Sequence, residues 1–285
     1  MAVLLTPLLL AAAAAAPDFD VVVYGSSPAG IAAATAAGHL GMKVAVLEPL
    51  KMLGGMGAAG NLALNDGGND AEHTGLALNF TLLNGQYYNV SGQVSHPEAF
   101  VAEMTFRKML LAAGVGTVKV DCHLLGATAG KIGSASKVES IRVACQPDPI
   151  TATVFIDASY DGEIMVAVGD VAHTAGREAI SQYNESYAGA RAPSWGGVSG
   201  PRNVSALGPD GKIIKYVQNI SELAKPGEAD DALMAFQHRM CISGDADRVK
   251  WPKPEGYDAQ DFLLIQRALE AGGINFRWSP MPGCE

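Results

Sequence analysis

Apolar positions along the chain fall into a few short, uninterrupted runs. The first, Val21–Tyr24, suits a central strand buried on both faces. Gly25 breaks it, and Pro28 opens a helix of small residues over Ala29–Ala37. A second buried strand is predicted at Lys43–Glu48 (K-V-A-V-L-E), followed by a glycine-broken loop at Met56–Asp66. Phe100, Met104, Met109 and Leu110 recur at helical spacing and predict an amphipathic helix over Pro97–Ala113. Strand-like runs follow at Val118–Leu125, Val138–Cys145 and Thr151–Ala158, the first two joined by the Gly- and Ser-rich stretch Gly126–Lys137. Beyond Gly169 the pattern loosens: Pro193–Gly211 reads as loop, and helices are predicted at Asp230–Met240 and Asp261–Ala271.

The order strand, Gly-rich turn, helix, strand is the opening of a dinucleotide-binding unit, whose turn lets backbone N–H groups approach a pyrophosphate at the positive end of a helix. The G-x-G-x-x-G fingerprint stands here as Gly25-x-Ser27-x-x-Gly30, with serine in place of the middle glycine. Glu48 ends the second strand eighteen residues after Gly30, where an acid accepts hydrogen bonds from an adenosine ribose. Gly54-Gly55, Met56 and Gly57 follow. An NAD(P)-dependent dehydrogenase would share the first turn without that doublet, and a small-residue corner that binds nothing is the plainest alternative.

The 285 residues are 48% hydrophobic and 17% charged, enough for one large domain or two small ones. A net charge of −9 with no basic stripe argues against nucleic acid as a partner. Residues 1–16 form an uncharged apolar run ending in alanines before Pro17, as a secretory signal peptide does. No later stretch has the length of a span, so the mature form is expected off the membrane. Five of the ten asparagines open N-x-S/T triplets: Asn79, Asn89, Asn184, Asn203 and Asn219. Together they predict a secreted glycoprotein.

Four cysteines occur, at 122, 145, 241 and 284, with no spacing that suggests a metal centre. Cys122 and Cys145 each lie eleven residues from a turn at Gly133-Ser134, so they face each other as a disulfide or as two buried thiols. His73 and His96 stand alone, as surface or capping histidines usually do. His173, Arg177 and Arg239 are the candidates for substrate contact, with Glu178 and Asp231 near enough to neutralise either arginine. No catalytic base is assigned.

From Asp20 to about Met281 the chain resembles the FAD-dependent oxidoreductase family of the glutathione-reductase-like Rossmann superfamily. The resemblance rests on D-V-V-V-Y-G-S-S-P-A-G-I-A-A-A, G-G-M-G, F-I-D-A-S-Y-D-G-E-I-M, A-G-R-E-A, Y-N-E-S-Y-A-G and G-E-A-D-D-A-L-M-A-F-Q-H-R-M-C-I-S. It implies an α/β fold: an FAD-binding Rossmann-type parallel sheet with an antiparallel β-meander, over residues 17–165. Residues 166–285 would form an incomplete substrate-side region, because relatives continue past this point, and the chain is expected to be truncated. FAD is the implied cofactor. Gly25, Ser27 and Gly30 would meet the pyrophosphate, Glu48 the ribose, and Gly54, Gly55 and Met56 the flavin side. Ala158 and Ser159 would cover the nucleotide, and the backbone near Leu124 would meet the adenine. The implied reaction class is flavin-dependent oxidation, with hydride passing from a small organic substrate to flavin. Because reduced nicotinamides are scarce outside the cell, oxygen is a reasonable acceptor. A catalytically inactive secreted relative that keeps the fold is the competing expectation.

Overall fold

A computed structural model describes residues 16–60, 70–173, 175–183, 188–191, 204–217, 219–233 and 244–272. Residues 1–15, Asn184, Asn203, Arg239, Cys241 and Cys284 lie outside them. Two compact units divide between Ala172 and His173.

In the first unit β1 (Phe19–Tyr24), α1 (Pro28–His39) and β2 (Val44–Leu47) follow as predicted. Then come α2 (Gly75–Tyr87), α3 (Ala99–Ala112), β3 (Thr117–Lys119), β4 (Leu124–Ile132), β5 (Ala135–Val143), β6 (Ile150–Asp157) and α4 (Glu163–Val168). The six strands form one sheet in the order β3-β2-β1-β6-β5-β4. Four are parallel: β2 pairs with β3, and β1 sits between β2 and β6 with Val23 opposite Val46 and Ile156. β5 runs antiparallel to β4 and to the start of β6.

The side chains of β1 divide between two cores. Val21 and Val23 pack with Ile31, Phe80, Phe106 and Leu110 from the three helices. Val22 and Tyr24 pack with Ile141, Val143 and Ile150 from the hairpin side, and with Ile164 of α4. Both faces of the strand are covered, which is why the sequence shows a continuous apolar run instead of alternation.

In the first unit two predicted elements differ from the structure, and a third forms but buries a different face. Val118–Leu125 is two strands: β3 ends at Lys119, and Asp121 turns the chain at φ 58° into β4. The stretch predicted to join two strands, Gly126–Lys137, is mostly strand, and the turn is confined to Gly133-Ser134. Helix α3 forms as predicted but buries Val101, Ala102, Thr105 and Phe106, leaving Phe100 and Met104 facing outward. Helix α2 had no apolar period to announce it, because its buried face carries Thr81 and Asn84. Their polar atoms are met by Gln93 at 2.8 Å and by Thr105 and the Val94 carbonyl at 2.7 and 3.1 Å.

Cys122 and Cys145 form a disulfide. The register that puts them opposite each other contains two irregularities. One lies between Leu124 and Gly126, the other between Thr128 and Ala129, and their shifts cancel. An extra residue on β5 is offset by one on β4.

The second unit holds α5 (Ile180–Tyr183) and α6 (Leu263–Glu270). Helix α6 covers most of the predicted Asp261–Ala271, after a 3-10 turn at Ala259–Phe262. Of the predicted helix Asp230–Met240, Asp230 instead makes a bridge with Arg177, Asp231–Leu233 are not helical, and residues 234–240 lie outside the described ones.

Candidate nucleotide cleft

A cleft of about 300 Å³ opens at the carboxyl ends of β1, β2 and β6, the place where open parallel sheets bind ligands. Gly25, Ser26, Ser27, Glu48, Gly55 and Ser159 are among its lining residues.

The turn after β1 is closed by direct backbone packing. Gly25 sits at φ 89°, and a Cβ there would lie 2.6 Å from the backbone of Ala158 and Ser159. Ala158 N–H in turn donates to the Tyr24 carbonyl at 2.7 Å. The implied cover, Ala158 and Ser159, is thus packed against the first turn. Gly30, behind the lining, lets α1 approach β6: a Cβ would meet Ala158 Cβ at 2.8 Å.

At the head of α1 the donors can be accounted for one by one. Pro28 has none, Gly30 N–H donates to Ser27 Oγ at 3.3 Å, and Ile31 N–H donates to the Ser27 carbonyl at 2.9 Å. Ser27 and Ala29 N–H have no partner among the described residues. Two open amides at the positive end of a twelve-residue helix are what a pyrophosphate requires. The serine that replaces the fingerprint's middle glycine therefore caps the helix and leaves its entrance open.

Glu48 is buried, and much of its carboxylate is already used. Oε2 accepts from Ser26 N–H at 2.7 Å and from Ser26 Oγ at 2.5 Å, while Oε1 accepts from Leu50 N–H at 2.7 Å. A carboxylate offers about four acceptor positions, so one on Oε1 remains for a ribose hydroxyl. Gly54 N–H reaches the same knot, donating to Ser26 Oγ and to the Ser26 carbonyl, both at 3.0 Å.

Gly54 and Met56 lie outside the lining, whereas Gly55 belongs to it. Gly54, at φ 97°, passes against the Phe106 ring, and Met56 N–H donates to the Tyr160 hydroxyl at 2.7 Å. Leu124 also lies outside the lining, and its N–H is taken by the Tyr24 hydroxyl at 2.9 Å. That phenol donates to Glu163 Oε2 at 2.8 Å. Burial, and then the hydrogen bond to Glu163, push it above its usual range, so it stays a neutral donor.

Several residues here were not singled out in the sequence. Ser26 sits at an unspecified position of the fingerprint, and Tyr160 appears only within a longer block. His123 lines the cleft beside Glu48, with Asp121 at 3.7 Å. Asp157 caps α4 from the end of β6, accepting from Ile164 and Met165 N–H at 2.8 and 3.2 Å. The lining carries Glu48, Asp161 and Glu163 but no lysine or arginine, so the charge of a bound pyrophosphate falls to the backbone amides and the helix end. With that distribution of donors, the glycine contacts and the spare acceptor on Glu48, the residues fit FAD. In the second unit the Arg177 guanidinium is engaged as a two-pronged fork with Asp230.

The model of the FAD dependent oxidoreductase family matches residues 20–285. No curated protein matches the chain. Among solved structures, the THI4 protein of Thermovibrio ammonificans is 17% identical, over 52% of this chain and 60% of its own, with a TM-score of 0.36. A geranylgeranyl bacteriochlorophyll reductase-like protein of Thermoplasma acidophilum is 19% identical over 54% of this chain and 42% of its own, at 0.35. OTEMO in complex with FAD and NADP is 17% identical over 50% of this chain and 26% of its own, at 0.36. The chain thus spans 60% or less of the length of these structures.

Proposed function

The chain belongs to the FAD-dependent oxidoreductase family, and from that premise we propose that its cleft holds FAD for the oxidation of a small organic substrate, with molecular oxygen receiving the electrons. When bound, FAD would supply the flavin N5 as a hydride acceptor. The chain's own residues bind and orient. Ser27 and Ala29 N–H would meet the pyrophosphate, and Glu48 Oε1 a ribose hydroxyl. Gly25, Gly30 and Ala158 keep side chains out of the turn, and the Gly54–Gly55 loop would pass beside the flavin half. The observation that carries the reading is the meeting of three distant segments, at Ser26, Glu48 and Gly54, in one buried knot at the cleft.

Titration of the purified protein with FAD, followed by flavin fluorescence, is expected to show saturable binding, and acid release should return FAD on chromatography. Recovery of FMN or NAD alone would overturn the assignment, since FMN has no adenosine for Glu48 to meet.

The same proposal places the protein in the secretory lumen or outside the cell, where reduced nicotinamides are scarce and oxygen is a ready acceptor. The apolar leader and the five sequons support it. Asn79, Asn89 and Asn219 are exposed, and Asn89 lies at φ 55° in the turn after α2. Intact mass before and after deglycosylation should reveal glycans on a chain beginning near Pro17. An unmodified product retaining Met1 would remove the localisation.

A further inference from the structure

We infer that Ser26 is a positioning residue that ties the ribose end of the cleft to its Gly54–Gly55 end, so that the two halves of FAD are gripped as one unit. The inference rests on the FAD reading above and adds a residue and a linkage to it. Ser26 is fully buried. Its hydroxyl donates to Glu48 Oε2 at 2.5 Å and accepts from Gly54 N–H at 3.0 Å. A hydroxyl has one proton and two lone pairs, so it fills both roles at once, which a methyl or a hydrogen cannot do. The chain Gly54 N–H, Ser26 O–H, Glu48 carboxylate runs in one direction, each donor polarised by the charge at its end. Glu48 lies 22 residues from Ser26 along the sequence and Gly54 lies 28.

The backbone provides a second set of bonds that makes the side chain's role separable. Ser26 N–H donates to Glu48 Oε2 at 2.7 Å, and the Ser26 carbonyl accepts from Gly54 N–H at 3.0 Å. Both survive loss of the hydroxyl, so Ser26→Ala keeps the turn and the fold. What it loses is the direct link between the acid and the loop. Glu48 then has one fewer donor to fix its spare acceptor, and the Gly54–Gly55 loop has one fewer tie to the first turn.

The test compares FAD with ADP, which carries the ribose and pyrophosphate but no flavin half. Each dissociation constant is measured by titration calorimetry on the full chain, wild type against Ser26→Ala and Ser26→Thr. Loss of one hydrogen bond to a charged group predicts FAD binding weakened about tenfold in Ser26→Ala. ADP should weaken about threefold or less, because it never touches the loop, and Ser26→Thr should restore FAD affinity by returning the hydroxyl. Unchanged FAD affinity in Ser26→Ala, equal losses for FAD and ADP, or a threonine variant that folds but does not rescue would each overturn the linkage. So would an alanine variant that fails to fold, since the hydroxyl would then serve the whole unit and not the cleft. Failure of the wild type to bind FAD would instead remove the underlying reading.

Discussion

Val22, Val23, Tyr24, Ile31, Val46 and Leu53 of the first unit are shut off from solvent completely. In the second, Ala190, Ile214 and Ala268 are the buried apolar residues among those described, while Trp251, Leu233 and Tyr216 are 73–81% exposed. Apart from the stacked rings of Tyr257 and Phe262, the second unit's described ties are mostly polar. Arg177 forks onto Asp230, Lys215 reaches Asp261 at 3.0 Å, and Arg267 donates to the Ser205 and Leu207 carbonyls at 2.7 and 2.6 Å. Burial of apolar surface is cooperative and non-directional, whereas exposed ion pairs contribute little each and yield to salt and pH. The nucleotide cleft sits wholly in the unit of the first kind. A Cβ added at Gly25 or Gly30 would come within 2.5–2.8 Å of its neighbours, so the turn needs a scaffold that does not give.

The widest expected gap lies between two aromatic truncations. Phe80 is buried and stacks on Phe106 at a centroid distance of 4.4 Å, and Phe106 forms the wall beside Gly54. Phe80→Ala should cost about 3–5 kcal/mol through lost burial and a cavity. Trp251→Ala, at an exposed position, should stay within about 0.5 kcal/mol. Denaturant unfolding of both variants measures the difference, and equal losses would dissolve the distinction between the units.

The same contrast governs what the sequence could reveal. Val21–Tyr24 was legible because a strand covered on both faces needs an apolar residue at every position. Helix α2 was not, because Thr81 and Asn84 fill its buried face and are satisfied by hydrogen bonds that no periodicity records. The break between β3 and β4 was hidden because Asp121 adopts φ 58° inside an otherwise strand-like run. In the cleft, Gly25, Gly30 and Glu48 could be placed by spacing, since the turn and the acid stand at fixed offsets. Ser26 could not, because its partners are set by how the Gly54 loop folds back. In the second unit, the fork of Arg177 to Asp230 depends on a pairing 53 residues long, and the nearer acids Glu178 and Asp231 were the ones in view.

Next in size comes the disulfide, which adds a covalent tie to the unit already rich in burial. Closing a loop with a sequence separation of 23 restricts the unfolded chain by about 3 kcal/mol in the chain-entropy account. Cys122→Ala combined with Cys145→Ala should lose about that much, and reductant should lower the wild-type midpoint comparably while leaving the double variant unmoved. A wild-type midpoint indifferent to reductant would mean that packing alone holds the hairpin at Tyr24 and Leu47.

The smallest effect concerns the second unit and is expected in acid. The hydrogen bonds from Arg177 hold the Asp230 carboxyl below its ordinary range, with the Ala232 N–H adding to the pull. A carboxyl whose folded value is depressed contributes stability above its unfolded value, near 3.9. That contribution is lost as pH falls through the lower folded value. Protonation of Asp230 would leave the Arg177 fork with a weakened acceptor, and the paired N–H bonds at 2.8 and 3.1 Å between the two backbones would open more often. Hydrogen exchange at the Arg177 and Asp230 amides, corrected for intrinsic pH dependence, should lose protection below about pH 4. The amides of Val22 and Val23, held between β2 and β6, should keep theirs over the same range. Arg177→Ala should show the lowered protection already at neutral pH. Protection that falls equally at all four amides would show that acid acts on the fold as a whole and that the second unit has no separate electrostatic weakness.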